Sequence, residues 1–360
     1  MNLKDIQLYP IELSLSRVKR AWGGWPGKVG EIWSLSCYPY ESLALNGILA
    51  GRALREIVGE FQQRLLGKRM ELDPREPFPF LLRFISSKKN LSIQVHPDDA
   101  YTRKHGLTMV GTDKIFYILS AGPDAMIFSG FRDKTSKKTV LESISKDTLR
   151  RLMNAVIVKP GEVYTVPAGR IHSIGRGISL LEIRRHSDLT FILSAKKDRD
   201  RPNGISSYKL EEALRILDFN SISPKPISKI SISSNNNRVE WLCVVPNFML
   251  RKLYIRDSLE LTLNGNRFLV YTGLRGTGYL RWGLSDICIF IQPGQSILIP
   301  AVPEDLLFES EDGFELLETS VPDLTGDSIE QMIGLGIQPE RIAGLGGEDY
   351  SKILRGCISL

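Results

Sequence analysis

Cysteine and histidine are both scarce in this chain, with four of each among 360 residues. The cysteines, Cys37, Cys243, Cys288 and Cys357, lie far apart and form no C-x-x-C pair, which excludes a disulfide scaffold. We therefore expect reduced thiols that are mostly buried.

Long apolar runs and long charged runs are also missing. No apolar stretch reaches the length of a membrane span, and the first ten residues lack the basic-then-apolar order of a secretion signal. The net charge of +6 is spread along the chain, apart from a short basic cluster at residues 196–201, so the sequence does not indicate a nucleic-acid-binding surface. These features predict a cytoplasmic protein with no nucleic-acid or membrane partner. The basic excess is compatible with an anionic metabolite, although an ordinary solvated surface explains it more simply.

The hydrophobic fraction of 42% is enough to bury the cores of two or three globular units. The apolar segments are short and are separated by Gly, Pro, Asn and Asp, a pattern typical of a β-sandwich or barrel. The predicted strands of the first half are residues 80–85, 91–95, 115–119, 162–166, 178–183 and 189–193.

Helical periodicity is limited to residues 54–66, 136–156 and 211–216 before a Ser-, Asn- and Pro-rich segment that indicates a linker. The region 136–156 separates two strand-rich stretches and is interpreted as a small helical insertion. The predicted organisation is a β domain at 1–222, a linker at 223–238, a second β domain at 239–322 and a short helical tail at 323–360.

Two of the four histidines stand where a metal site could form. Gln94 and His96 lie two residues apart in a predicted strand, so both side chains leave the same face. His172 follows a turn and enters another strand. Because strands distant in sequence meet in an antiparallel barrel, these side chains could share one ion. Imidazole nitrogens with an amide oxygen suit zinc or a similar divalent metal.

Several motifs resemble those of the type I phosphomannose isomerases and occur in the same order. Residues 22–24 read Trp-Gly-Gly, and residues 31–36 are similar to the family's G-E-S-W-E-L-S. Residues 91–99 resemble L-S-V-Q-V-H-P-D-D, and residues 166–175 resemble V-P-A-G-x-x-H-A-I-G. The resemblance covers roughly residues 10–220, continues weakly through the second β domain and does not extend to the tail.

The resemblance implies a mainly β protein with two cupin domains, each a double-stranded β-helix or jelly roll, and a small helical insertion. It also implies an enzyme that interconverts mannose 6-phosphate and fructose 6-phosphate and holds one zinc ion per chain. Gln94, His96 and His172 match three of the family's zinc ligands. The expected partner is a small-molecule sugar phosphate.

The fourth zinc ligand of the family, a glutamate, is replaced here by Lys114. A protonated lysine repels a divalent cation, so zinc affinity should suffer. Asp113 or Glu182 could complete the metal shell, although a shift of one residue along a strand turns Asp113 to the opposite face.

Two further positions that the family uses in catalysis are also changed. Thr112 replaces a lysine implicated in catalysis, and Arg199 or Lys197 could stand in for an arginine. The first hypothesis is therefore a metal-dependent isomerase with Arg199 and Lys114 as candidate catalytic residues. The second is a homologue that binds a sugar phosphate or a partner without turnover, and a third makes Lys114 an acid–base or phosphate-binding group.

Overall fold

A computed structural model describes residues 6–68, 70, 72–193, 207–324 and 326–358. The chain packs into two compact units. The first combines Met1–Ser16, Ser34–Pro79 and Ile227–Leu360, and the second combines Arg17–Trp33 and Phe80–Pro226. The linear domain boundaries expected from the sequence stay a prediction, because compact packing and independent folding are different properties.

The strands dominate both units. In chain order they are β1 (Ile11–Glu12), β2 (Ser16–Lys19), β3 (Val29–Leu35), β4 (Leu81–Ser87), β5 (Gln94–Val95), β6 (Lys114–Ala121), β7 (Met126–Phe131), β8 (Met153–Ile157), β9 (Val163–Val166), β10 (His172–Ile174), β11 (Ile178–Arg184), β12 (Phe191–Ile192), β13 (Ile230–Ser234), β14 (Asn237–Val245), β15 (Phe248–Ile255), β16 (Ser258–Asn264), β17 (Leu269–Arg275), β18 (Gly278–Trp282), β19 (Cys288–Ile291), β20 (Ser296–Ile299), β21 (Pro303–Glu309) and β22 (Phe314–Ser320).

The helices are short and lie between or after the strands. They are α1 (Leu54–Phe61), α2 (Gln63–Leu66), α3 (Asp99–Lys104), α4 (Lys137–Ser145), α5 (Ser207–Ile216), α6 (Asp327–Gly334), α7 (Pro339–Gly344) and α8 (Gly347–Ile358). Within the described residues, none of these helices has the length and apolar character needed to cross a membrane.

The second unit is a sandwich of two antiparallel sheets. Its six-stranded sheet has the order β2-β3-β4-β11-β6-β9, and its five-stranded sheet has the order β12-β5-β10-β7-β8. Alternate residues of both sheets, such as Phe116 and Ile118 of β6 and Ile174 of β10, form one buried cluster. A second cluster packs α4 and α5 against the five-stranded sheet through residues such as Val140 and Leu214.

The first unit is also built from two antiparallel sheets. A seven-stranded sheet has the order β1-β20-β17-β22-β15-β14-β13, and a four-stranded sheet has the order β16-β21-β18-β19. Burial alternates along β18, where Leu280 and Trp282 are buried and Arg281 between them is exposed. The tail helices pack Met332, Ile342 and Leu354 against Trp241 in a further cluster.

The predicted strands of the first half are all present, and the mainly β fold class is confirmed. The helix predicted at 54–66 is divided into α1 and α2 at Gln62, whose φ is 42°. In the region 136–156, α4 ends at Ser145, a short 3-10 helix follows at Leu149–Leu152, and Met153 begins β8. The segment expected to be a linker contains β13, which pairs with β14. Its polar residues therefore form an edge strand rather than a loop.

We predict that Phe308→Ala destabilises the first unit by about 3–5 kcal/mol, because it removes a fully buried ring from the core. Phe308 is 0% exposed and contacts Tyr271 and Phe314, with ring centroids 4.9 and 6.3 Å away. Urea unfolding would measure the loss. The matched control is Phe290→Ala, since this ring is 45% exposed and should cost about 1 kcal/mol or less. Equal losses in the two variants would contradict the assigned core.

Candidate active site

Strand register brings four charged side chains together on one face of the six-stranded sheet. Glu182 of β11 lies opposite Arg83 of β4, and Arg184 lies opposite Lys114 of β6. Residues two apart on a strand share a face, so Glu182 and Arg184 point the same way. Lys114 reaches His172 of the five-stranded sheet, which shows that this face is turned towards the inside of the sandwich.

These charges form a buried ion network centred on Glu182. Its Oε1 accepts a hydrogen bond from Arg83 Nε at 2.7 Å, and its Oε2 accepts one from Lys114 Nζ at 3.3 Å. Arg83 also lies 3.6 Å from Glu31, whose other oxygen accepts from Arg20 at 3.0 Å. Because Lys114 and Glu182 are only 2% and 1% exposed, each depends on the network for its neutralisation.

The two histidines face this network from the other sheet. Nδ1 of His96 donates to the carbonyl oxygen of Leu189 at 2.7 Å, and Nδ1 of His172 donates to that of Arg170 at 2.9 Å. A neutral imidazole with its proton on Nδ1 carries a lone pair on Nε2. Both rings therefore present an acceptor nitrogen inwards, and their centroids lie 5.1 Å apart.

Tight backbone contacts around the histidines hold the site together. After Pro97, Asp98 caps α3 by accepting a hydrogen bond from the backbone of Tyr101 at 2.7 Å, which fixes the chain just past His96. Gly169 has a φ of 80°, a left-handed conformation that glycine adopts without strain. Its N–H donates to the carbonyl of His96 at 2.8 Å, so the turn that leads to His172 is tied to the segment that follows β5 and carries His96.

Burial and neighbouring cations shift the pKa values of these groups in a consistent pattern. Desolvation lowers the pKa of Lys114 from 10.5 to about 7; the attraction of Glu182 opposes this shift, and repulsion from Arg184 and Arg83 adds to it. Desolvation and the Lys114 charge lower the pKa of His172 to about 3, and they also lower that of His96. Arg83 and Lys114 outweigh burial and hold the pKa of Glu182 below its usual range. At neutral pH the histidines are neutral and Glu182 is ionised.

Several buried polar atoms of this unit have hydrogen-bonding capacity that the described part of the chain does not use. They are Nε2 of His96, Nε of Arg184, Oγ of Ser129 and Oγ1 of Thr112, and each of these residues is at most 3% exposed. Ser129 lies opposite His172 in the five-stranded sheet, so its side chain shares that inward face. Buried polar atoms are normally hydrogen-bonded, so such a group indicates a place where a polar ligand binds.

Known proteins are similar to this chain in sequence. A family model described as the catalytic domain of type I phosphomannose isomerase matches residues 26–117. The mannose-6-phosphate isomerase of Streptococcus mutans is 26% identical over 314 residues, which cover 84% of this chain and 96% of that protein. The chain is thus similar to the type I phosphomannose isomerases.

Solved structures show the same fold. The crystal structure of the mannose 6-phosphate isomerase from Bacillus subtilis is similar with a TM-score of 0.75 at 24% identity, covering 86% of this chain and 99% of that one. A zinc-bound mannose 6-phosphate isomerase is similar with a TM-score of 0.65 at 14% identity, covering 87% of this chain and 99% of that one. The predictions of the cupin fold, of this family and of an enzyme of the phosphomannose isomerase type are confirmed.

The arrangement of this phosphomannose isomerase homologue does not fit a zinc ion. The inward lone pair of His96 suits a metal, but that of His172 is 3.5 Å from Nζ of Lys114, whose positive charge repels a metal ion. The side-chain nitrogen of Gln94 donates to Ser92 at 2.9 Å, a bond that does not use the amide oxygen through which Gln94 would bind zinc. Within the ranges that the structure describes, no group of three or more His, Cys, Asp or Glu residues could hold a metal ion. The zinc ligands Gln94, His96 and His172 therefore stay a prediction.

The outcome differs among the other residues that the sequence predicted for the site. Lys114 lies at the centre of the ion network, between His172 and Glu182. Asp113 does not substitute for the missing glutamate, since its Oδ1 accepts from the backbone of Ala168 at 2.9 Å. Arg199 lies outside the described residues, and its catalytic role stays a prediction.

Sequence reasoning missed three members of the network, Arg83, Arg184 and Glu31. A signal was present, because Arg83 interrupts the apolar run at residues 80–85 and Arg184 directly follows the one at 178–183. A charge in a strand that is otherwise apolar is costly to bury without a partner. Such a residue therefore indicates an internal ion pair, although the sequence does not reveal which partner it has.

We predict that Glu182→Gln destabilises the protein by about 3–5 kcal/mol, because it leaves the buried Arg83 and Lys114 cations without their shared counter-charge. Urea unfolding at pH 6, below the pKa of about 7 at which Lys114 loses its charge, would measure the change. The matched control is Glu309→Gln, which disrupts an exposed pair with Arg281 and should cost about 1 kcal/mol or less. A loss at Glu182 as small as that at Glu309 would disprove the buried network.

We further predict that stability rises with pH through the titration of Lys114. Since the pKa of Lys114 is about 7 in the folded chain and 10.5 in its unperturbed state, the unfolded chain binds more protons between these values. The free energy of unfolding of the wild type should therefore increase relative to that of Lys114→Met, by up to a few kcal/mol from about pH 7 to about pH 10. Parallel unfolding curves of both proteins would measure it, with exposed Lys138→Met as the control. A pH-independent difference would contradict the shift.

Proposed function

We propose that the chain is an aldose–ketose isomerase that interconverts mannose 6-phosphate and fructose 6-phosphate. The observation that carries this proposal is the inward-facing pair of a cation and an unused acceptor, Nζ of Lys114 and Nε2 of His96. The relatives named mannose-6-phosphate isomerase support the same reaction. The small-molecule partner is therefore a sugar phosphate.

The reaction needs a proton to move between two neighbouring carbons. Removal of the C2 proton from the open-chain aldose gives an enediol, and delivery of a proton to C1 then gives the ketose. Negative charge develops on the carbonyl oxygen during each transfer, so a nearby hydrogen-bond donor with positive charge lowers the barrier. Lys114 is assigned this donor role, because its ammonium carries N–H groups beyond the one directed at Glu182.

The acceptor role is assigned to His96. Its Nδ1 proton is held by the carbonyl of Leu189, so the ring is fixed with the lone pair of Nε2 available. Desolvation and the charges of Lys114 and Arg184 lower the pKa of this imidazole, which keeps the ring neutral. Its Nε2 can therefore accept a hydrogen bond from a sugar hydroxyl, although the same lowering weakens it as a base. Arg199 is a further candidate for a catalytic role, on the sequence alone.

A second function, binding of a sugar phosphate without turnover, is favoured by one observation. Lys114 and Arg83 both already donate hydrogen bonds to Glu182, and Thr112 carries no charge where the family has a lysine. Such a site could hold a polar ligand through its spare donors and acceptors and yet lack the groups that move protons.

We predict measurable conversion of mannose 6-phosphate to fructose 6-phosphate by the wild type in a coupled assay. Lys114→Met should lower kcat by about 10²–10³-fold, because one charged donor to the developing oxyanion is lost. The exposed Lys138→Met is the control and should leave the rate unchanged. Tight binding of mannose 6-phosphate by calorimetry, with no turnover in the wild type, would instead establish the second function.

A further inference from the structure

The most unusual feature of this site is the buried ammonium of Lys114, which lies against His172, a side chain of the kind that binds metal ions in other proteins. We propose that Lys114 is the resident cation of the site and that the chain therefore neither retains nor needs a divalent metal there. The inference deepens the proposed function and relies on it only for the activity measurement; the metal measurement stands by itself.

The geometry of His172 is the first support. Its Nδ1 donates to the carbonyl of Arg170, so the ring orientation is fixed and Nε2 faces Lys114. Nζ of Lys114 lies 3.5 Å from that nitrogen, whereas zinc bonds to an imidazole nitrogen are about 2.0–2.1 Å long. A metal bound to His172 would therefore lie close to the ammonium and compete with it for the same lone pair.

The carboxylate of Glu182 is not available to a metal either. Arg83 takes one of its oxygens at 2.7 Å, and Lys114 takes the other at 3.3 Å. Coordination by Glu182 would remove the counter-charge from two buried cations at once. Because breaking a buried ion pair leaves an uncompensated charge, this exchange is strongly unfavourable.

The local charge balance is the third support. Arg83, Lys114 and Arg184 are brought together by strand pairing. The carboxylates of the buried Glu182 and Glu31 face them, and the exposed carboxylate of Asp188 lies 3.7 Å from Arg184. A dication placed beside His96 and His172 would add two positive charges next to these three cations, in a region of low dielectric constant. The network therefore excludes a metal by repulsion as well as by occupying a ligand position.

An ammonium group can take the place of a bound metal cation in such a site. It provides a positive charge and directed N–H donors, which can hydrogen-bond to a sugar oxygen. The two neutral imidazoles next to it remain acceptors, since the Lys114 charge lowers both of their pKa values. The chain thus keeps one cation against His172 while changing the chemical nature of that cation.

The experiment compares zinc content in three proteins purified from zinc-supplemented cells: the wild type, Lys114→Glu and Lys114→Met. Elemental analysis should find well below one zinc per chain in the wild type. Lys114→Glu should bind about one, because a third anionic or imidazole ligand completes the site. Lys114→Met is the matched control: it removes the repulsion but adds no ligand, so its zinc content should stay low. In Lys114→Glu/His172→Asn the zinc should be lost again, which locates the metal.

Stoichiometric zinc in the wild type that disappears in His172→Asn would overturn the inference. If Lys114→Glu does not fold, the wild-type metal content still decides, together with cobalt(II) titration, whose visible absorption reports tetrahedral nitrogen and oxygen ligation. A spectrum from the wild type that is lost in His172→Asn would overturn the inference, and a silent titration would support it.

Activity in the presence of a chelator separates this inference from the proposed function. Isomerase activity that persists after prolonged dialysis against dipicolinate supports both. Activity that is lost on dialysis and restored by zinc supports the proposed function and overturns the inference. A wild type that has neither zinc nor activity supports the inference, whereas the proposed function then fails.

Discussion

The neutralisation of Lys114 inside the sandwich is the constraint on which the rest of the site depends. A buried ammonium is tolerated only where a carboxylate meets it, and Glu182 does so at 3.3 Å because β6 and β11 are paired in one particular register. Arg83 then requires the same carboxylate from the other side, and Glu31 balances Arg83 in turn. The network thus spans β3, β4, β11 and β6, so a slip of any one strand would leave charges unpaired and turned to the wrong face.

The same network sets the state of the histidines. Burial and the nearby charge of Lys114 lower the pKa of both imidazoles, so both rings stay neutral and keep Nε2 as an acceptor. Their orientation is fixed separately, by carbonyl groups that accept from Nδ1. Backbone geometry therefore determines where the lone pairs point, while the buried cations keep those lone pairs unprotonated.

Much of this arrangement was predictable from local sequence, and the rest was not. Short apolar segments and turn residues located six strands of the first half, namely β4, β5, β6, β9, β11 and β12. The identity of the Lys114 partner was not predictable, because Glu182 lies 68 residues away and only the tertiary register brings it into contact. For the same reason, Ser34–Pro79 packs with the C-terminal half of the chain, although the residues on both sides belong to the other unit. Local patterns determine elements, whereas the pairing of distant strands determines which charges meet.

The substitution of Lys114 shows how the scaffold and the chemistry of its cation can vary separately. The hydrogen bonds from Nδ1 of the two histidines to their carbonyl partners and the turn at Gly169 do not involve the side chain at position 114, so they persist whether that residue is anionic or cationic. An anionic residue there would lie against Glu182 and would need a metal to balance both carboxylates. A cationic residue balances Glu182 directly and removes that need. The sign of one side chain therefore decides whether the site requires an external cation or already contains its own.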